Sequence, residues 1–411
     1  MKYSWQQLND LLLESGGAVY ILNLETFKRN INSFLGSFRQ YYKNTFLGYS
    51  YKTNYLPKLC VEANSMGLYA EVVSGMEYEI ALKCGVLPKN IIFNGPVKYE
   101  SELLKAFDGN SIVNVDSLNE LYLIKSILSS RADLSANIGL RCNLELKLGN
   151  RSSRFGLNDT NGDLENAANL IESIPNANLA GLHCHFSFNR SAESYSDRAF
   201  KMVDIAKRVF KKKPPQYLDL GGGFCGPMNS SLANQFSVKP PNYSDYAKAI
   251  TSVVLKEYGK EGGPKLILEP GIGLVGNVME YACKVEVLKN MTGQKFAVTS
   301  GTIDHIKILP NKINLPVSLL SEKNVELQKS EQTLDIVGYT CLEHDILYYN
   351  YPWSLTCGDI LLFESVGAYS FVSSSQFIKT TPPIVMSCGN LDWKILKNHL
   401  SSEDLFSQFN L

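Results

Sequence analysis

Between residues 46 and 270 the apolar positions switch repeatedly between two patterns. Short, nearly continuous apolar runs suit buried strands: FLGYSY (46–51), YAEVV (69–73), NIIF (90–93), SIVNV (111–115), ANIGLRC (136–142), NLAGLHCH (178–185), QYLDL (216–220) and KLILE (265–269). Between them lie stretches with helical spacing, such as PKLCVEANS, GMEYEIALKCG, YESELLKAF and SLNELYLIKSILSS, and longer ones over 193–212 and 243–258. Eight strands each linked by a helix predict an α/β fold, a parallel sheet closed as a (β/α)8 TIM barrel. The span of roughly 225 residues suits that fold, which typically takes about 250. An open doubly wound sheet is the alternative use of the same elements.

After residue 275 the pattern changes. YACKVEVLK, KFAVTSG, TLDIVGYTC and DILLFESVGAYSF are β-rich, with Gly, Pro and Asn turns between them. The expectation is a barrel domain over 23–275 and a second, mostly antiparallel β-barrel or sandwich domain over 276–411. AVYIL (18–22) precedes the first barrel strand, and residues 1–22 are expected to join the second domain.

Composition narrows the classes. The chain has 411 residues, 45% hydrophobic and 19% charged, enough for two substantial cores. Lys plus Arg and Asp plus Glu are 40 each, so no net field favours nucleic acid or an anionic membrane. The one basic block, Lys211-Lys212-Lys213, reads as a solvated helix end. The N-terminus lacks the apolar core of a secretory signal, and no apolar run approaches the ~18 residues a membrane span needs. Nine cysteines, an odd count in apolar contexts, suggest reduced thiols and a cytoplasmic protein.

Chemistry collects where the barrel strands end, the place such folds build their sites. Strand one ends at Lys52, and strand two carries Glu71. Strand six ends His183-Cys184-His185, strand seven Gly221-Gly222-Gly223, and strand eight Glu269-Pro270-Gly271. Pyridoxal 5'-phosphate would use this set: a lysine for a Schiff base, glycine N–H groups for a phosphate, a histidine to stack on the ring and a carboxylate for the pyridine nitrogen. Each piece has a plainer reading. The glycines suit a tight turn, Glu269 a structural ion pair, and the His-x-His pair two core histidines or two metal ligands. The other three histidines, His305, His344 and His399, lie beyond the predicted barrel, so no metal is expected for want of ligands.

Together these motifs resemble the fold-type III pyridoxal-phosphate-dependent decarboxylases, the diaminopimelate and ornithine decarboxylase group distantly similar to alanine racemase. The resemblance rests on SYKTN, AEVVSGMEYEIAL, IIFNGPVKYESEL, VNVDSLNEL, SRFGL, GLHCHFS, LDLGGGF, LEPG, GYTCLEHDIL and GAYS, in order along nearly the whole chain. It implies that Lys52 holds the cofactor as an internal aldimine, His185 stacks on the ring and Glu269 pairs with the pyridine nitrogen. Gly221, Gly222 and Gly223 would hold the phosphate with Tyr369, and Gly271 joins the cofactor-binding set. Glu71 takes the position of an acidic residue near the cofactor, and Arg154 the basic position before Phe155-Gly156. Cys341 matches a catalytic cysteine that in relatives enters from the neighbouring subunit, which implies a homodimer with shared sites. The implied activity is removal of the α-carboxylate of an amino-acid-like substrate. A racemase or epimerase, which usually favours a pyridine partner other than a carboxylate, and a non-catalytic cofactor-binding protein are the alternatives.

The pattern also breaks. Ile272 stands where relatives place arginine after Glu-Pro-Gly, and His185 is followed by Phe186-Ser187-Phe188. Leu342 follows the cysteine where relatives often carry an acidic residue, leaving Glu343, His344 and Asp345 as candidate substrate contacts. SGTIDHIKILPNKINLP lacks the Arg-Pro-x-x-Tyr pattern that grips a distal carboxylate. A specialised substrate, such as an intermediate of siderophore or other secondary metabolism, is therefore expected in place of diaminopimelate.

Overall fold

Parallel pairing closes one sheet of this protein on itself. The structure is a computed structural model that describes residues 2–146, 153–211, 213–306, 312–323, 328–388 and 392–410. Lys212 of the basic block and 307–311 of the SGTIDHIKILPNKINLP stretch lie outside the described residues. In chain order the strands begin with β1 (Ala18–Leu22), then β2 (Thr45–Ser50), β3 (Tyr69–Val72), β4 (Ile91–Phe93), β5 (Ile112–Val115) and β6 (Ala136–Asn143). A short β7 (Leu157–Asn158) precedes β8 (Ala177–His183), β9 (Tyr217–Asp219) and β10 (Lys265–Leu268). Each of β2 to β6 and β8 to β10 pairs in parallel with the next, and β10 returns to β2 with Leu266 beside Thr45. That last pairing rejects the doubly wound alternative, which would leave two open edges. The strands are buried on both faces, which is why they read as continuous apolar runs.

Two helices that cover the barrel begin with the same device. Ser74 Oγ accepts the Glu77 N–H at 3.2 Å, and Ser117 Oγ accepts that of Glu120 at 3.3 Å. Each glutamate reaches back to the end of its strand: Val73 N–H donates to Glu77 at 2.8 Å and Asp116 N–H to Glu120 at 2.9 Å. Burial pushes the Glu77 carboxyl from 4.5 up to about 7, against the lowering pull of the Val73 N–H. A raised carboxyl is protonated in the fold and ionised in the unfolded chain across that window, so its contribution to stability is lost as pH rises through it. Glu77→Gln should therefore gain roughly 2–3 kcal/mol on the wild type at pH 8 compared with pH 5. Urea unfolding of the apoprotein at both pH values measures this, and an unchanged difference refutes it.

The chain forms two units: Lys28–Gly226 with Pro240–Leu274, which is the barrel, and Met1–Phe27 with Pro227–Lys239 and Val275–Leu411. The barrel's chain is thus not continuous. Between β9 and the helix Tyr243–Tyr258 it contributes residues 227–239 to the other unit. There Gln235 donates to the Asn314 carbonyl and accepts from its N–H, both at 2.8 Å.

The second unit is a mostly antiparallel sheet of β1 with β11 (Met279–Met291), β12 (Gln294–Thr299), β13 (Val317–Leu320), β14 (Lys329–Val337), β15 (Ile346–Trp353), β16 (Ile360–Phe363), β17 (Ile384–Ser387) and β18 (Trp393–Lys397). β1 lies inside it, antiparallel to β11 with Ala18 beside Cys283 and parallel to β17 with Tyr20 beside Ile384. All five residues of AVYIL are buried. Its helix Trp5–Glu14 seals one face with Leu8, Leu11 and Leu12. No described helix is long and apolar enough to cross a membrane.

Candidate active site

Because the barrel strands are parallel, their C-terminal ends share one rim. β2 ends at Ser50 and the chain turns through a 3₁₀ helix, Tyr51–Thr53, which lifts Lys52 onto that rim. Its ammonium meets both oxygens of Glu71 on β3, at 2.8 and 2.9 Å. Glu71 is fully buried while the Lys52 side chain keeps 26% of its exposure, so the amine is both anchored and reachable. Ser50 Oγ also donates to Glu71. Gly271 lets the chain after β10 approach the lysine turn, since a Cβ there would lie 2.1 Å from Thr53 Oγ1.

Glu269, just beyond β10, is also sealed. Asn94 Nδ2 donates to its Oε1 at 2.5 Å, and His183 Nε2 lies 3.4 Å from Oε2. Burial works to raise this carboxyl, but His183, Lys52 and Asp219 together outweigh it and hold Glu269 ionised, below the usual carboxylate range. Asp219 behaves oppositely: burial, then the Glu269 charge, lifts it so that it keeps its proton. His183, Asp219 and Glu269 bring ligand-type atoms within 4.8 Å of one another. With Asp219 holding its proton, the trio is an acid–base cluster around the Glu269 carboxylate. The two residues of the His-x-His motif also part company, since His185 turns to the glycine triplet instead.

His185 Nδ1 accepts the Gly222 N–H at 3.0 Å, so that nitrogen carries a lone pair. Burial, then the Lys52 charge, pushes this ring well below the ordinary histidine range, and it stands neutral at the rim. Gly221, at φ +65°, donates to Asp219 at 2.9 Å, and a Cβ there would lie 2.3 Å from the Cys184 carbonyl. Two of the three glycine N–H groups are thus committed inside the barrel. Among the described residues the Gly223 N–H has no acceptor in the protein.

The remaining expected residues are carried by other elements. Arg154 is exposed, its guanidinium 4.5 Å over the Phe155 ring. Arg141, near the end of β6, is buried and bound to Asp116 at 2.8 Å. Tyr369 and the 341–345 segment belong to the β unit, where Cys341, Glu343 and His344 are exposed. Asp345 is buried. It accepts from Thr302 Oγ1 (2.9 Å), Ile303 N (2.7 Å), Thr340 N (3.2 Å) and Thr340 Oγ1 (2.6 Å). Leu342 and His344 line a cavity of about 520 Å³ in that unit with Ile303, Asp304, Tyr339 and Phe377.

Asn94 and Asp219 are the rim residues that the strand-end reading passed over. Asn94 looked like a turn residue in FNGP and Asp219 stood two places before the glycines, while His183, read as a core histidine or a metal ligand, lies beside Glu269. The donor set itself fits pyridoxal phosphate: a reachable amine, a neutral flat ring, an ionised buried carboxylate and an open N–H in a glycine turn.

The family described as "Pyridoxal-dependent decarboxylase, pyridoxal binding domain" matches residues 27–276. The diaminopimelate decarboxylase of Methanocaldococcus jannaschii is 26% identical over 385 residues, covering 90% of this chain and 85% of that protein. The one from Vibrio cholerae is 27% identical over 398 residues, covering 93% and 90%. Among solved structures, the M. jannaschii enzyme in complex with L-lysine superposes with a TM-score of 0.87 at 24% identity, over 98% of this chain and 94% of that one. The Paramecium bursaria Chlorella virus arginine decarboxylase gives 0.75 at 19%, over 91% and 97%.

Proposed function

We propose, from the premise that the chain belongs to the pyridoxal-dependent decarboxylase family, that it removes the α-carboxylate of an amino acid other than diaminopimelate. That it is a pyridoxal-phosphate-dependent amino-acid decarboxylase follows from the family and the relatives. The observation that best supports the chemistry is Glu269, a buried carboxylate held ionised at the barrel rim.

When bound, pyridoxal phosphate supplies an electron sink for the pair left by the departing carboxylate. Lys52 is the amine that would hold it covalently and yield its place to the substrate amine. Glu71 accepts hydrogen bonds from the Lys52 Nζ on both its oxygens and fixes its approach. Glu269 would keep the pyridine nitrogen protonated, which a carboxylic acid could not do. His185, neutral and with Nδ1 occupied, presents a ring face without adding positive charge. The Gly223 N–H and Tyr369 would bind the phosphate, and Cys341 would deliver a proton to Cα. Ile272 and Leu342 put apolar side chains where relatives carry arginine and often an acid, which supports a less charged distal group such as that of a siderophore-type intermediate. Diaminopimelate is the second reading, favoured by what the relatives act on. Carbon dioxide release from a panel including diaminopimelate, lysine, ornithine and arginine decides between them: rapid turnover of diaminopimelate rejects the first.

Cys341, exposed in its own chain, would act in a homodimer by entering the partner's site. Cys341→Ala should then lower product formation while leaving cofactor content intact. Mixing it with a Lys52→Ala chain should restore about a quarter of wild-type activity, since half the dimers carry one intact site of two. No recovery after subunit exchange would reject the shared site.

A further inference from the structure

Within the barrel a phenol and two amides run in line toward the two rim carboxylates. Tyr217 OH donates to Asn114 Oδ1 at 2.7 Å, and Asn114 Nδ2 donates to Asn94 Oδ1 at 2.7 Å. Asn94 Nδ2 then donates to both carboxylates, to Glu71 Oε1 at 3.2 Å and to Glu269 Oε1 at 2.5 Å. A phenol at the start and carboxylates at the end allow one direction only. Rotating the Asn94 amide would set its oxygen against two carboxylates and its NH2 against that of Asn114.

We propose that Asn94 is a positioning residue whose single NH2 spaces Glu71, the partner of Lys52, from Glu269, the partner of the pyridine nitrogen. This rests on the decarboxylase reading above. The barrel leaves room for this arrangement. A Cβ at Gly48 of β2 would touch both Glu71 Cβ (3.4 Å) and Glu269 Cγ (3.6 Å), so the two side chains meet across that glycine. A Cβ at Gly139 of β6 would lie 2.0 Å from Asn114 Oδ1 and from Tyr217 OH, so the chain's first bond needs glycine opposite it. Asn114 is fully buried and Asn94 nearly so. Barrel interiors are usually filled by branched aliphatic side chains, and three buried polar groups need a full set of partners to be tolerated. Here every donor in the series has one, and the series ends on the two groups that would grip opposite ends of the cofactor ring. Neither carboxylate can shift toward the other while the amide stands between them.

The test uses apoprotein and two probes, pyridoxal phosphate and its 1-deaza analogue, in which carbon replaces the pyridine nitrogen. Binding is followed by absorbance titration, with no turnover involved. Wild type should prefer pyridoxal phosphate by roughly 10- to 100-fold, the worth of one charge-assisted hydrogen bond. Asn94→Ala should bring that preference below about 3-fold while affinity for the deaza analogue stays within about 3-fold of wild type. Equal weakening toward both probes would mean a merely structural residue and overturns the inference. Tyr217→Phe, which keeps the ring and removes only the first donor, should lower the preference in the same direction by a smaller factor. An unchanged preference there overturns the fixed orientation even if Asn94→Ala does not fold. Wild-type protein that binds neither probe would instead remove the cofactor reading itself.

Discussion

Lys52→Ala is expected to lower decarboxylation by at least about a thousandfold, because it deletes the amine that holds the cofactor and exchanges with the substrate. Borohydride treatment of wild type should leave a pyridoxyl group on Lys52, readable by peptide mass, and none anywhere in the variant. The substitution also strips Glu71 of the ammonium on both its oxygens, leaving a buried carboxylate with Ser50 and Asn94 as donors. Because the lysine is partly exposed, the stability loss should be modest, about 1–2 kcal/mol. A folded variant that keeps more than a tenth of wild-type turnover, or a pyridoxyl group found on another lysine, would dismiss Lys52 as the cofactor's amine.

Glu269→Gln should cut kcat by about a hundredfold or more while reducing cofactor affinity far less. Glutamine keeps the shape and can still accept from Asn94, so the change isolates charge. Without the Glu269 charge, Asp219 also loses one cause of its raised carboxyl, and the cluster is rebuilt around a neutral amide. Glu269→Asp keeps charge but withdraws it from Asn94, and should fall between wild type and Gln. If Gln were as active as wild type, the carboxylate would be a structural partner of His183 and Asn94 and nothing more.

Most of the barrel could be read from the chain because parallel strands buried on both faces give short apolar runs, and helices between them keep a different period. Lys52, Glu71, His185 and Glu269 were legible for a related reason: a charged or titratable group at the end of such a run has no place in a core. Asn94, Asn114 and Tyr217 gave no such contrast. FNGP reads as a turn, Asn114 as an interruption in SIVNV, and Tyr217 as one more apolar position. Their meaning comes from closure, which sets the strands of Asn114 and Tyr217 on facing walls. Arg154 was named for its place in a motif, whereas the buried Arg141 near the end of β6 stood within an apolar run and drew no notice. Asp345 stands soon after the cysteine, and two of its partners, Thr302 and Ile303, lie about forty residues upstream, beyond the reach of local pattern. Residues 227–239, rich in Ser and Asn, carry nothing in their composition to show which core they serve.

The strand AVYIL must wait for its neighbours. Its partners are Cys283 and Ile384, so on the ribosome every barrel strand emerges before either flank of β1 exists. At about 5–20 residues per second that interval lasts tens of seconds. Throughout it, five apolar residues with unpaired backbone groups sit tethered to a barrel still being made, a ready template for strand addition by another chain. The hazard in making this protein is therefore concentrated in its first strand. Chaperone demand and inclusion-body formation should respond to polar substitutions within residues 18–22 more strongly than to comparable changes in the barrel helices.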